Sequence, residues 1–102
     1  MAYSEFIDSI EQEWAPPVGA LWCARQGIMD NEGLSRLLTL LKSIQVSEED
    51  DIPKRFVSVV WLIPMFLNWQ EQRLREQGVD IDPYIQMQGL LSAEVQRILG
   101  MP

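Results

Sequence analysis

The sequence predicts an all-α fold, a compact bundle of five helices, or six if the last one divides. Three observations predict it. Apolar residues recur at intervals of three and four along most of the chain, glycines and prolines stand between these stretches, and no segment carries the signature of a β-hairpin. Because 102 residues is the length of one typical domain, we expect residues 1–102 to form a single helical domain.

The first helix is predicted from an apolar stripe bounded by a cap and two prolines. Ser4 can cap its start, and Pro16-Pro17 ends it because proline clashes with the preceding helical turn. Acidic residues of this segment, among them Glu11 and Glu13, are predicted to lie off the stripe. The stripe itself consists of Tyr3, Phe6, Ile7, Ile10 and Trp14.

The second helix is predicted from Pro17 to about Gln26, where Gly27 stops it. We expect it to bury Val18, Leu21 and Trp22. The third helix is predicted to begin near Asp30 or Asn31, either of which can serve as its N-cap. Its apolar stripe consists of Leu34, Leu37, Leu38, Leu41 and Ile44.

The fourth helix contains the most apolar stretch of the chain, Phe56–Trp69. We expect it to open at Pro53, to kink at Pro64 and to end at Gly78 as a left-handed cap. A stretch apolar on every side is typical of a helix that other helices surround. The stretch is shorter than the roughly 20 apolar residues of a membrane span, so a buried central helix is predicted. The side chains expected inside are Val57, Val60, Trp61, Ile63 and Leu67.

The last helix is predicted to begin at Asp82-Pro83, a good N-cap followed by a good first-turn residue. Gly89 and Ser92 interrupt its apolar stripe, so division into two short helices is the alternative. Between the third and fourth helices lies a polar connection, in which Ser47 and Asp50 predict a single helical turn.

Charge is the strongest functional signal. Fifteen acidic and eight basic residues give a formal charge of −7, and Glu48–Asp51 places four carboxylates in succession. Such a field repels phosphate backbones and anionic lipid, and it favours a basic protein partner. We therefore expect binding of neither nucleic acid nor membrane.

Catalytic chemistry is not indicated. The chain has no histidine, the commonest general base and metal ligand, and Cys23 is expected to be a small structural hydrophobe. We predict no enzyme, cofactor or metal, although Asp80 and Asp82 leave a metal site as an alternative. A single cysteine and an N-terminus without a signal-peptide pattern favour the cytoplasm.

The functional prediction is a small acidic, non-enzymatic binding protein, specifically an inhibitor or immunity-type protein that neutralises a basic partner such as a nuclease toxin by covering its cationic site. The alternative is a helical adaptor or regulatory subunit that binds a partner helix in an apolar groove. Trp69, at the polar end of the apolar stretch, is expected to reach a partner surface. The predicted partner-binding residues are Glu11, Glu48, Glu49, Asp50, Asp51, Trp69 and Asp80.

Overall fold

A computed structural model describes residues 3–102, which contain helices joined by loops and no strand. The prediction of an all-α fold is confirmed. The described part of the chain contains six helices. They are α1 (Tyr3–Trp14), α2 (Ala20–Arg25), α3 (Asn31–Lys42), α4 (Lys54–Trp61), α5 (Ile63–Glu76) and α6 (Ile81–Leu99).

Every helix contributes to one hydrophobic core. α6 packs against α3, α4 and α5, while α1 packs against α2, α3 and α4. The short α2 also contacts α3 and α5. The described chain measures 44 × 29 × 19 Å along its principal axes. One fully buried side chain from each helix, in chain order, is Ile10, Leu21, Leu37, Phe56, Ile63 and Leu91.

The region between α1 and α2 differs from the prediction. Ser4 lies inside α1, which already includes Tyr3, so Ser4 is not its N-cap. The second helix begins at Ala20 rather than Pro17, and Val18 is 73% exposed instead of buried. A Cβ atom at Gly19 would overlap the carbonyl oxygens at the end of α1. The close approach of the two helix ends therefore fixes where α2 begins.

The predicted fourth helix is two helices, α4 and α5, which meet at Leu62. Pro64 lies in the first turn of α5, and its missing N–H and its ring remove the helical hydrogen bond to the carbonyl four residues earlier. The break therefore falls just before the proline, in place of a kink within one helix. Of the side chains expected inside, Val60, Ile63 and Leu67 are buried.

Two of the five side chains predicted to lie in the core are not fully buried. Val57 is only partly buried, and Trp61 is 48% exposed. The prediction for Trp61 was wrong because the sequence shows that a segment is apolar all round, but not which side its neighbours leave open.

The helix boundaries set by glycines agree with the prediction. Gly27 and Gly78 both have a φ of +79°, the left-handed conformation that only glycine adopts without strain. The N–H of Val79 donates to the Leu74 carbonyl at 3.1 Å, which closes the end of α5 as a Schellman-type cap.

The last helix is continuous, with no division at Gly89 or Ser92. It begins two residues earlier than predicted because Asp80, rather than Asp82, is its N-cap. Asp30, one of the two predicted candidates, is the N-cap of α3. Its side chain accepts a hydrogen bond from the Gly33 N–H.

None of the helices within residues 3–102 combines the length and apolar character needed to cross a membrane.

Candidate functional site

The acidic run Glu48–Asp51 lies in an exposed loop between α3 and α4. The predicted helical turn is an ordinary turn, held by reciprocal hydrogen bonds between two residues. The Asp50 N–H donates to the Ser47 carbonyl at 3.1 Å, and the Ser47 N–H donates to Asp50 Oδ2 at 2.9 Å. Glu49 Oε2 also accepts a hydrogen bond from Ser47 Oγ at 3.1 Å, so within residues 3–102 Glu48 and Asp51 are the two carboxylates of the run that make no hydrogen bond.

The start of this loop is anchored by Arg97, near the end of α6. Its guanidinium donates to the carbonyls of Leu41 and Ile44 at 2.9 Å each, and Ile44 is fully buried. These carbonyls belong to the end of α3, where helices leave acceptors unsatisfied. A fixed stem therefore holds the acidic loop beside the C-terminal end of α6.

The N-terminal end of α1 lies against the other side of the loop. The rings of Tyr3 and Phe56 pack edge to face at 4.9 Å, and Tyr3 shares the lining of a small cavity with Asp50 and Asp51. Desolvation and the Asp50 carboxylate raise the pKa of the Tyr3 phenol. Two more exposed carboxylates, Glu5 and Asp8, follow on α1. We define the acidic end as Glu5, Asp8, Glu48, Glu49, Asp50 and Asp51.

Within residues 3–102, no cation pairs with a carboxylate of the acidic end. Four side-chain ion pairs are present within residues 3–102, so eleven of the 15 carboxylates have no side-chain cation at ion-pairing distance. All six members of the acidic end are among those eleven. The four pairs are Arg36–Glu13, Arg55–Glu11, Arg75–Glu71 and Arg97–Glu94.

Glu11, a predicted partner-binding residue, is already paired. Its Oε1 accepts a hydrogen bond from Arg55 Nε at 2.8 Å, which joins the exposed sides of α1 and α4. An exposed pair of this kind contributes little to stability. The contact nevertheless makes Glu11 less available to a partner than the carboxylates of the loop.

Glu13 is a structural residue that the sequence did not reveal. It was predicted off the apolar stripe, yet it is 5% exposed. Its Oε2 accepts from Arg36 Nε at 2.7 Å, and its Oε1 accepts from Arg36 Nη2 at 2.8 Å and from the Ala20 N–H at 3.1 Å. The hydrogen bond to Glu13 raises the pKa of Arg36. One carboxylate thus joins α1, α2 and α3, a role that local sequence periodicity does not signal.

The structure does not bring all the predicted partner-binding residues together. Asp80 caps the start of the 19-residue α6, whereas Glu48 and Asp50 line a groove with the last residues of that helix and the chain end. At 1.5 Å per residue, the two ends of α6 lie about 28 Å apart. Asp80 therefore belongs to the opposite end of the molecule from the acidic loop.

Trp69 also lies away from the loop. It is 58% exposed on α5, one turn after Met65, which is 46% exposed. Trp61, which is 48% exposed, is the last residue of α4, just before the break at Leu62. We call Trp61, Met65 and Trp69 the aromatic flank, which shares no residue with the acidic end.

The groups considered for chemistry have structural roles. Asp80 Oδ1 accepts the Asp82 N–H at 3.2 Å, which is helix capping, and within residues 3–102 no three potential metal ligands form a cluster. Burial, together with the nearby Asp30 carboxylate, raises the pKa of the Cys23 thiol. A raised pKa disfavours the nucleophilic thiolate.

Comparisons of this chain with models of protein families, with curated proteins and with solved structures found no match.

Proposed function

We propose that this chain is a small acidic, non-enzymatic binding protein whose acidic end covers the cationic site of a basic partner protein. The observation that carries the proposal is the exposed run Glu48–Asp51, in which no carboxylate pairs with a cation of the described chain. Four adjacent unpaired charges repel one another, so the folded protein alone gains little from them. A cationic partner would relieve that repulsion.

The physical mechanism is electrostatic capture followed by close contact. A surface of one sign steers an oppositely charged partner and raises the association rate, while desolvated contacts set the residence time. Cationic sites that bind phosphate backbones are natural targets, because carboxylates can occupy the positions of the phosphates. The concrete form of the proposal is an inhibitor or immunity-type protein for a nuclease toxin, acting in the cytoplasm.

The experiment compares two triple variants of equal net charge. The loop variant carries Glu48→Gln, Glu49→Gln and Asp51→Asn, and spares Asp50 because it closes the turn. The control variant carries three matched substitutions at exposed carboxylates outside the acidic end. These are Glu32→Gln, Glu76→Gln and Asp82→Asn. Each variant changes the formal charge from −7 by three units.

Each immobilised protein is used to capture partners from cell extract, and the retained proteins are identified by mass spectrometry. We expect a basic protein to be retained by the wild type and the control variant, and to be lost from the loop variant. The captured protein should be released as ionic strength rises, since salt screens exposed charges. Equal retention by the loop variant and the wild type would exclude the loop as the interface.

A second candidate function, an adaptor that binds a partner helix, is favoured by the aromatic flank. Trp61, Met65 and Trp69 each leave roughly half of their surface exposed, and exposed tryptophans are enriched at binding hot spots. Substituting Trp69→Ala would weaken such a complex, and salt would hardly affect it. Capture that depends on Trp69 and resists high salt therefore favours the adaptor over the charge-led inhibitor.

A further inference from the structure

One cavity of the molecule combines apolar side chains with two arginines. A cavity of about 330 Å³ opens between α1, α2, α4 and the residue that precedes α5. We call it the arginine pocket. Its lining residues are Glu11, Trp14, Ala15, Arg25, Arg55, Ser58, Val59 and Leu62.

The floor of the arginine pocket is apolar and fixed. Trp14 Nε1 donates to the Val59 carbonyl at 3.0 Å, and the Trp14 and Phe66 rings pack edge to face at 4.8 Å. The indole N–H is therefore already used, so Trp14 offers the cavity its ring surface. Val59 and Leu62 extend this apolar surface along α4 and its end.

Two guanidinium groups stand over this floor. The Arg25 guanidinium carbon lies 5.2 Å from the centre of the Phe66 ring, a cation–π distance that orients the group. No carboxylate of residues 3–102 pairs with Arg25. Arg55 donates through Nε to Glu11, and in the described chain its other nitrogens make no hydrogen bond.

The charge of the pocket is opposite to that of the molecule. Its lining carries two guanidiniums and one carboxylate, whereas the whole chain has a formal charge of −7. Within residues 3–102, Arg25 makes no ion pair although carboxylates outnumber cations. Its guanidinium is therefore available to a ligand. The planar guanidinium fork matches the geometry of a carboxylate, and pockets of this size bind ligands mainly through apolar contact with a few polar anchors.

We propose that the arginine pocket binds a small carboxylic acid with an apolar body. The carboxylate contacts the Arg25 guanidinium, and the apolar body lies on Trp14, Val59 and Leu62. Glu11 disfavours the ligand by repulsion and by occupying Arg55. The pocket is distinct from the acidic end, so this proposal and the proposed function succeed or fail separately.

The probe for the test is 3-phenylpropionate, with its amide, 3-phenylpropanamide, as the uncharged isostere. Both are titrated into ¹⁵N-labelled protein and followed by ¹H–¹⁵N NMR, in which the Trp14 indole N–H reports on the floor. We expect the acid to shift the Trp14 signal and the amide to bind about tenfold more weakly, because it lacks the charge-assisted contact. Equal affinity of acid and amide would overturn the proposal.

Three variants locate the contact. Arg25→Gln should weaken binding of the acid about tenfold, whereas Arg75→Gln, which makes the same change of net charge on an exposed part of α5, should leave it within about twofold. Glu11→Gln should tighten binding, because it removes the repelling charge and frees Arg55. If Arg25→Gln does not fold, Arg25→Lys replaces it and should weaken binding by losing the fork. Unchanged binding in the folded Arg25 variant, or an equal loss in Arg75→Gln, would contradict the assignment.

Discussion

Glu13 and the Glu48–Asp51 run carry the same chemical group in opposite surroundings. Glu13 is buried, and three N–H groups of Arg36 and Ala20 satisfy its oxygens. The loop carboxylates are exposed, and among the described residues they make hydrogen bonds only within their own turn. Within residues 3–102 no cation pairs with them. The difference between these carboxylates is therefore their burial and not their residue type. The buried one joins helices, whereas the exposed ones are accessible to a partner.

The difference has a thermodynamic reason. A buried carboxylate is tolerated only when charged or polar donors replace the water it has lost, and removal of one partner leaves the others unsatisfied. An exposed carboxylate keeps its water, so it contributes little to folding and is free to exchange that water for a partner's cation. Stability and partner binding should consequently respond to different substitutions.

The largest expected effect on stability is that of Glu13→Ala. It leaves the buried Ala20 N–H unsatisfied and removes both hydrogen bonds to Arg36, while Arg36 itself stays hydrated because its side chain is 54% exposed. We expect a loss of about 2–3 kcal/mol in the free energy of unfolding, measured by chemical denaturation.

Glu11→Ala is the matched control for that prediction. It removes a carboxylate two residues away on the same helix, whose pair with Arg55 is exposed, so a loss below about 1 kcal/mol is expected. Equal losses in the two variants would mean that burial does not distinguish these carboxylates.

A smaller effect is expected for Tyr84→Phe, which extends the comparison to a buried hydroxyl. Tyr84 is 1% exposed, and its Oη donates to the Leu67 carbonyl at 2.7 Å. Loss of this hydrogen bond should lower the free energy of unfolding near neutral pH by about 1 kcal/mol.

The stability difference between wild type and Tyr84→Phe should also depend on pH. Burial raises the pKa of Tyr84 above its ordinary value of 10.0. The protonated phenol therefore stabilises the fold below that value, and the contribution is lost as pH rises towards the folded-state pKa. Denaturation of both proteins near neutral pH and at about pH 11 should show the advantage of the wild type shrinking or reversing. A constant difference would contradict a buried, raised-pKa phenol.

The smallest expected effect on stability is that of the triple variant Glu48→Gln, Glu49→Gln, Asp51→Asn. Because these side chains are exposed and Asp50 remains to close the turn, its free energy of unfolding should stay within about 0.5 kcal/mol of the wild type. A loss as large as that of Glu13→Ala, in the same denaturation assay, would show that the loop carboxylates support the fold.

The sequence predicted the ends of helices well where a single residue determines where the helix begins or ends. Gly27 and Gly78 end helices because their left-handed backbone excludes other residues, and Asp30 caps α3 through its own side chain. The exposure of Glu48–Asp51 followed from the polarity of the loop. Each of these features depends on neighbours along the chain.

Features set by distant parts of the chain were not predictable in this way. Glu13 is buried because α2 and α3 bring Ala20 and Arg36 to it, and Trp61 is exposed because no helix covers that side of α4. The arginine pocket was not predicted either, since Arg25 and Arg55 lie 30 positions apart in the sequence and meet only across packed helices. Hydrophobic periodicity identifies a buried face, but it does not identify the partner that buries it.

The central claim is that the local charge of the acidic loop, rather than the total charge, captures a basic partner. The most direct test is the association rate constant of the captured partner with the loop variant and with the control variant of equal charge, measured at low ionic strength. We expect the loop variant to associate about tenfold more slowly than the wild type and the control variant to remain within about twofold of it. Equal slowing of both variants would contradict the claim, because total charge alone would then explain the capture.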